Sequence, residues 1–429
     1  MKTIIRGGLV VNPSTKMEEI TDVLIEDGVI GAIGQIDEKV LEEQDVKIID
    51  ASGKLVVPGL IDLHVHLREP GFEHKETIES GCKAAAKGGV TTMCCMPNTN
   101  PVIDNECVVE YINTMARRAN GVKVLPVGSI TKGLEGEELS NIGKMKEHGI
   151  CAISEDGKTV ADAGLMKKGM SYAKPFNLPI FSHTEDRALS GGAMNAGINA
   201  QIFGIKGIGR DAEEVIVARD IILARTTGAH LHLSHMSTKG SIDLIEMGKK
   251  VWGMKNLTAE TAPHYFILDD SILGDYDTNK KMSPPLRTSE DVEAMKMALK
   301  SGIIDVIATD HAPHHYDEKN VEFEKAPFGI VGLETSFALS YTYLVKTGIL
   351  TIQELLEKMS YNPAKIINSP AGRIEVGAPA DITIIEVDTP YTINKETFVS
   401  KGKNTPFDGM EVYGDVQMTL VDGKIVFEK

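Results

Sequence analysis

The sequence lacks the marks of secreted, membrane-spanning and disulfide-stabilised proteins. Its 429 residues include five cysteines, an odd number, and no Cys-x-x-Cys pair, so we expect reduced thiols. No apolar run approaches the roughly 20 residues that a membrane-spanning helix needs. The first residues are typical of a strand and not of a signal peptide. Together these absences favour a cytoplasmic protein.

Positive charge is also scarce. Lys and Arg number 45 against 61 Asp and Glu, which gives a formal net charge of −16 at pH 7. We therefore expect neither a face that binds nucleic acid nor attraction to an anionic membrane. An acidic protein that binds an anionic substrate needs a local positive centre, which metal ions and a nearby arginine could supply.

The two ends of the chain differ from its middle. Residues 1–56 and 370–429 consist of short strand-like runs separated by turn residues, and we predict that they form one small β-sandwich domain. Residues 57–369 alternate apolar strands with helical stretches, which predicts a (β/α)8 TIM barrel, an α/β fold. The eight predicted barrel strands lie near 60–66, 90–95, 123–128, 151–154, 179–183, 230–235, 257–260 and 303–309.

The end of the first predicted barrel strand, residues 62–68, reads DLHVHLR. Because alternate side chains of a strand share a face, His64, His66 and Arg68 should point the same way, with Leu63, Val65 and Leu67 on the opposite face. Two imidazoles at this spacing can bind one metal ion, and an arginine beside them can bind a carboxylate through two parallel hydrogen bonds. Two surface histidines would give the same pattern, so the prediction depends on ligands elsewhere in the chain.

Further ligand-type residues follow other predicted strands. Because barrel strands open at their C-terminal ends onto one mouth, we expect these side chains to converge. Imidazoles and carboxylates of this kind suit two zinc ions, with manganese or cobalt as substitutes. A bridging group would hold the ions roughly 3.5–4 Å apart around a shared hydroxide. The predicted ligands are His64, His66, Asp156, His183, His235 and Asp310.

Several assignments have alternatives. Asp156 precedes a glycine and could be a turn residue, with Glu155 as a substitute ligand. His311 and His314 could be solvated or could support Asp310. The remaining histidines are expected to be structural, with His232 facing the barrel interior in one interpretation.

Longer motifs resemble the dihydroorotase family of the amidohydrolase superfamily. The motifs are DLHVHLREPG at 62–71, MPNT at 96–99, TDHAPH at 309–314, APFGIVGLET at 326–335 and SKGKNTPF at 400–407. The resemblance covers nearly the whole chain. It implies an enzyme of pyrimidine synthesis that interconverts N-carbamoyl-L-aspartate and L-dihydroorotate.

The resemblance also implies roles for individual residues. His64 and His66 would bind one metal ion, and His183 and His235 the other. Asp310 would be a ligand and the general acid/base, and Asp156 would bridge the ions where many superfamily members use a carboxylated lysine. The implied substrate contacts are His66, Arg68, Asn98, His314, Phe328 and Gly329. The family usually has an asparagine where Ser283 stands, and the serine hydroxyl has a shorter reach.

Two other functions fit part of the pattern. A hydantoin-cleaving enzyme or an allantoinase would share the superfamily, but the resemblance implies a bridging lysine for those relatives, and Arg68 and Asp156 argue against them. A metal-free scaffold homologue would be expected to have lost ligands, and the set is complete. A homodimer or a complex with another pyrimidine-pathway enzyme is left open.

Overall fold

Both ends of the chain contribute strands to one sheet. The computed structural model describes residues 2–36 and 46–429, and within them eight strands form a mixed sheet. The predicted joining of the two ends is confirmed, while the boundaries at 56/57 and 369/370 stay a prediction. In chain order the strands are Lys2–Asn12, Met17–Glu26, Val29–Ile33, Val46–Asp50, Leu55–Pro58, Ile382–Glu386, Asp415–Val421 and Lys424–Glu428.

The strand Leu55–Pro58 connects this sheet to the rest of the molecule. It lies between the strands Lys2–Asn12 and Ile382–Glu386, parallel to the first and antiparallel to the second. Only Gly59 separates it from the first strand of the barrel, Leu60–Val65. The chain therefore passes from one sheet into the other without a linker.

Eight parallel strands of the described residues form the predicted (β/α)8 barrel. Each strand overlaps the stretch predicted for it. The barrel closes between its first and last strands through a parallel bridge of Val65 with His311, where His66 N donates to His311 O at 2.9 Å. The strands are Leu60–Val65, Val90–Cys95, Lys123–Ser129, Ala152–Ser154, Ile180–Ser182, Leu231–Leu233, Leu257–Thr261 and Val306–Ile307.

Helices follow the barrel strands and pack their apolar faces on them. Side-chain oxygens of Thr77 and Asn105 accept hydrogen bonds from the first turns of the two helices that they precede, which satisfies backbone donors that the helix leaves free. The larger crossover helices are Ile78–Lys87, Glu106–Arg118, Ile142–Glu147, Ala163–Ala173, Asp211–Thr227, Lys239–Glu246 and Ser289–Ser301.

Shorter helical elements complete the fold. They include Ile198–Phe203, Pro263–Ile267, Tyr316–Lys319, Ser336–Ser340, Ile352–Leu356 and Asn362–Ile366, with π-helical turns at Met247–Val251, Tyr341–Val345 and Glu357–Tyr361. Within the described ranges, none of the helices combines the length and apolarity required to cross a bilayer.

The first barrel strand departs from the simple alternation predicted for it. Its pairing with the second strand shifts register between Asp62 and Val65. Leu63 packs with Cys94 in one buried cluster, whereas Val65 and Leu67 belong to the cluster under the helices. The prediction that Leu63 shares a face with Val65 and Leu67 is therefore wrong, because an irregularity of this kind turns successive side chains away from strict alternation.

Candidate metal centre and substrate cavity

The six predicted ligands lie together at the C-terminal mouth of the barrel. Each is at most 6% exposed, although all are polar or charged. His64 and His66 come from the first strand, and the others follow the fourth, fifth, sixth and eighth strands. The structure therefore brings these strand ends together.

Asp156 stands at the centre of this cluster. Its Oδ1 lies 3.2 Å from His64 Nε2 and 3.6 Å from His183 Nδ1, and its Oδ2 lies 3.5 Å from His66 Nε2. One carboxylate thus faces imidazoles from both halves of the cluster, which is the placement that a bridging ligand requires. Its pKa falls well below the usual value because the nearby imidazoles outweigh the effect of burial.

Asp310 approaches the cluster from the opposite side. Its Oδ1 lies 3.1 Å from His66 Nε2 and 3.5 Å from His64 Nε2. Burial opposes ionisation, but the charge of His64 and a hydrogen bond from His66 lower the pKa of Asp310 to about 2. Both carboxylates are therefore ionised at neutral pH.

Three residues of the mouth have backbone conformations that side chains with a Cβ rarely adopt. The φ angles are +62° for Arg68, +42° for His235 and +48° for Asp310. Such conformations cost of order 1–3 kcal/mol each and persist where surrounding structure enforces them. The packing around these three strand ends therefore holds the side chains of Arg68, His235 and Asp310 in place.

The donor set fits divalent metal ions. His64 Nδ1 lies 2.9 Å from Glu260 Oε1, so in the Nδ1–H tautomer that binds a metal ion the Nε2 lone pair faces Asp156 and Asp310. Within residues 2–36 and 46–429, the buried Nε2 has no hydrogen-bond partner. Three groups of residues each bring their ligand atoms within 4.8 Å of one another. These groups are His64, His66 and Asp156; His64, His235 and Asp310; and Asp156, His183 and His235. Imidazole nitrogens with carboxylate oxygens are typical ligands of zinc and related ions.

A cavity of about 360 Å³ opens over this cluster. Its wall carries the guanidinium of Arg68, the amide of Asn98 and the hydroxyl of Ser283, together with Phe328 and Gly329. With His66, six of the seven predicted substrate-contacting residues therefore line one cavity with the candidate ligands. His314 lies just behind the wall, with its Nε2 3.3 Å from Arg68 Nη2.

Comparisons with known proteins agree on one family. A family model described as "Dihydro-orotase-like" matches residues 53–241, and one described as "Amidohydrolase family" matches residues 285–427. A dihydroorotase of Thermoanaerobacter sp. (strain X514) is 51% identical, covering 100% of this chain and 98% of its own length. One of Ruminiclostridium cellulolyticum is 49% identical, covering 100% and 99%. The chain belongs to the dihydroorotase family.

Solved structures show how widely this fold is shared. An L-hydantoinase (dihydropyrimidinase) from Arthrobacter aurescens superposes with a TM-score of 0.89 at 25% identity, covering 100% of this chain and 96% of its own. A dihydropyrimidinase from Brevibacillus agri NCHU1002 gives a TM-score of 0.83 at 26% identity, covering 100% and 95%. The barrel and the β domain are therefore shared with these hydantoinase and dihydropyrimidinase structures.

Glu260 is a residue of this family member that the sequence analysis missed. It is the penultimate residue of the seventh barrel strand, is 1% exposed, and accepts hydrogen bonds from His64 Nδ1 at 2.9 Å and His232 Nε2 at 3.0 Å. Burial opposes ionisation, but these two hydrogen bonds lower the pKa of Glu260 to about 2. The rule that polar residues end barrel strands would have found it.

Glu185 was missed as well, and it changes the interpretation of Ser283. Ser283 Oγ donates to Glu185 Oε1 at 3.2 Å, and Glu185 Oε2 lies 3.4 Å from His183 Nε2. The hydroxyl is thus fixed beside a carboxylate on the cavity wall. With its proton donated to Glu185, Ser283 presents lone pairs to the cavity.

Asn98 makes contacts that the sequence did not predict. Its Oδ1 lies 2.9 Å from His66 Nδ1, and its Nδ2 donates to Asp156 Oδ2 at 3.0 Å. The amide therefore orients two candidate ligands in addition to facing the cavity.

The structure also shows the surroundings of Glu155 and His311, for which the sequence left alternatives open. Glu155 accepts hydrogen bonds from the backbone N and the hydroxyl of Thr131 and lies outside the three ligand groups. His311 is buried, with Nε2 3.4 Å from Glu76 Oε2 and Nδ1 accepting from Gly332 N at 3.1 Å. The solvated alternative for His311 is therefore wrong, because the residue joins the loop after the eighth strand to its neighbours.

Proposed function

We propose that this protein catalyses the dihydroorotase reaction, the reversible cyclisation of N-carbamoyl-L-aspartate to L-dihydroorotate in pyrimidine synthesis. The observation that carries the proposal is the position of Arg68. Its guanidinium lines the same cavity as the imidazole–carboxylate cluster, so a carboxylated ring can be bound beside ligands that favour a hydrolytic metal centre. This combination suits a cyclic amide that bears a carboxylate.

We propose two divalent ions per chain, most suitably zinc. His64, His66 and Asp310 would hold one ion, His183 and His235 the other, and Asp156 would contact both, in keeping with its distances to His64, His66 and His183. When bound, such ions supply an activated water at neutral pH and polarise the amide carbonyl.

Asp310 is proposed as the general acid/base. Its carboxylate lines the cavity and is ionised, so it can accept a proton as water attacks the ring amide and then deliver that proton to the ring nitrogen. In the cyclising direction Asp310 would remove the proton from the carbamoyl nitrogen. One group thus handles the proton in both directions.

The cavity wall would orient the substrate. Arg68 Nε donates to Pro313 O at 3.2 Å. The two terminal nitrogens of the guanidinium would therefore donate to the substrate carboxylate. His314 and Asn98 are proposed as further contacts to that carboxylate. The backbone of Phe328 and Gly329 would contact the ring, and Ser283 could accept from a ring N–H. His66 remains a proposed contact at the floor of the cavity.

Metal removal tests the cofactor proposal. Dialysis against a chelator should abolish turnover. Reconstitution with zinc should restore turnover and two ions per chain, because the six proposed ligands remain in place when the metal is removed. Elemental analysis of the reconstituted protein measures the stoichiometry. A protein that turns over substrate at the same rate with no transition metal would contradict the assignment.

Glu260→Gln should weaken metal binding. The glutamine keeps the shape but replaces one carboxylate acceptor by an amide, so His64 loses part of the support that fixes its Nδ1–H tautomer. We expect metal affinity or activity to fall by about 10–100-fold, the usual effect of such supporting groups. Competition with a chromogenic chelator measures the affinity.

Glu213→Gln is the matched control for that variant. Glu213 is also 1% exposed and accepts hydrogen bonds from Ser237 and Thr238, but it contacts none of the six ligands among the described residues. Its variant should lose thermal stability and keep metal affinity. Equal metal affinity in wild type and Glu260→Gln would refute the supporting role of Glu260.

A second candidate function is favoured by the solved structures. They include an L-hydantoinase and a dihydropyrimidinase. Hydrolysis assays on L-dihydroorotate, hydantoin and allantoin with one metal-replete preparation separate the candidates. We expect turnover of L-dihydroorotate to exceed that of the other two rings, and a preference for hydantoin or allantoin would replace the proposal.

A further inference from the structure

The C-terminal segment 400–407 places Asn404 behind the substrate cavity. Asn404 is 2% exposed and is not among the residues that line the cavity. It lies 90 residues from His314 and 75 from Gly329 along the chain, yet its side chain contacts the loops that carry both. These loops are 312–314 and 328–331.

Every polar group of the Asn404 side chain is used. Its Nδ2 donates to Ala312 O and to Gly329 O, both at 2.9 Å, and its Oδ1 accepts from His314 N at 3.0 Å. The main-chain carbonyl accepts from Val331 N at 3.0 Å. These two carbonyl partners fix the orientation of the amide. If the amide were reversed, its oxygen would lie against two carbonyl oxygens and no hydrogen bond could form.

The two loops that Asn404 joins are in close contact. A Cβ at Gly329 would lie 2.6 Å from Ala312 O and 2.9 Å from His314 Cδ2. The two loops therefore have no room to move closer together. His314 Nε2 lies 2.9 Å from Phe328 O, to which it donates in the Nε2–H tautomer. The loops therefore form one unit beneath the cavity wall.

That unit also holds the guanidinium. Arg68 Nε donates to Pro313 O at 3.2 Å, between the two residues that Asn404 binds. Ala312 and Gly329 line the cavity themselves. A change in the separation of the loops would thus displace the proposed carboxylate contact and the proposed ring contact together.

We propose that Asn404 is a positioning residue that sets the geometry of substrate binding without touching the substrate. The proposal rests on the proposed function for its substrate. An aspartate at this position would keep the acceptor for His314 N but place a charged oxygen against two carbonyl oxygens. The loops would separate to relieve this repulsion, since buried carbonyl groups without donors are costly.

Asn404→Asp and Asn404→Ala are the test variants. Each should keep the metal content of wild type and lose kcat/KM on L-dihydroorotate by about 10–100-fold, mainly through KM, because the chemistry of the metal cluster is unchanged. Hydrogen exchange at the amides of 312–314 and 328–331 should accelerate in both variants. This second readout needs no substrate.

Asn12→Asp is the matched control. Asn12 is 1% exposed and also ties distant segments, with Nδ2 donating to Ile374 O at 2.8 Å and Oδ1 accepting from Ile374 N at 3.2 Å. It lies in the β domain, so its variant should lower the thermal midpoint and leave KM and exchange at the two loops unchanged.

The outcomes separate this inference from the proposed function. Folded, metal-replete Asn404 variants with wild-type KM and wild-type exchange at the loops would overturn the positioning role, as would equal changes in the Asn12 control. A wild-type protein inactive on L-dihydroorotate would contradict the proposed function instead, while faster loop exchange in the Asn404 variants would still support the mechanical link. If Asn404→Asp does not fold, Asn404→Ala decides the matter.

Discussion

Asn in place of Asp310 is expected to leave the metal bound and to stop turnover. Asp310→Asn keeps the shape and one ligating oxygen but removes the group that takes and returns the proton. The rate should fall on the order of 10²–10⁴-fold, the usual range for general acid–base catalysis. Because one carboxylate serves both directions, ring opening and cyclisation should fall together. Steady-state rates in each direction measure this.

Metal content must be measured on the same sample of this variant. Asp310 is itself a proposed ligand, and a protein that has shed its metal would be inactive for a different reason. Asp381→Asn is a suitable control, since Asp381 is also 1% exposed but pairs with Lys123 at the β domain. A metal-replete Asp310→Asn protein with near-normal turnover would show that another group, such as His314, moves the proton.

Arg68→Lys should give the second large effect. Lysine keeps the positive charge but cannot present two parallel N–H groups to a carboxylate. It also cannot donate to Pro313 O and to the substrate with the same geometry as the guanidinium. We expect kcat/KM on L-dihydroorotate to fall by roughly 10²-fold, in the range for truncating a buried charge pair. Metal content should stay at the wild-type level.

The control for this variant is another buried arginine. Arg287 is 2% exposed and donates to Ser237, Asn195 and Ile208 O, outside the substrate cavity. Arg287→Lys should therefore affect stability more than KM. If Arg68→Lys protein works on L-dihydroorotate at the wild-type rate, the carboxylate contact has been assigned to the wrong residue.

The sequence predicted the barrel because its strands are short apolar runs that end in polar residues. Val306–Ile307 is only two residues long as a strand, and it lies within the stretch 303–309 predicted for it. His64, His66, Asp156, His183, His235 and Asp310 were found for the same reason. Each lies near the C-terminal end of a barrel strand, so its position depends on local sequence and on the common direction of parallel strands.

Contacts between distant parts of the chain could not be predicted in this way. Glu260 supports His64 from 196 residues away, and Asn404 reaches His314 across 90 residues. The position of Glu260 near a strand end marks it as a candidate, but neither pairing has a local signal, because each depends on how the strands and the C-terminal segment are brought together. The register shift near Asp62 likewise depends on the neighbouring strand. It is the reason that the predicted face of Leu63 was wrong.

The most direct test compares two rings that differ only in a carboxylate. L-dihydroorotate and 5,6-dihydrouracil share the same cyclic amide, but only the first carries the group that Arg68 is proposed to bind. Metal-replete wild-type protein should open L-dihydroorotate and form it from N-carbamoyl-L-aspartate, while 5,6-dihydrouracil should react at least about 10²-fold more slowly, as expected for loss of a buried charge pair. Equal or faster opening of 5,6-dihydrouracil would contradict the account.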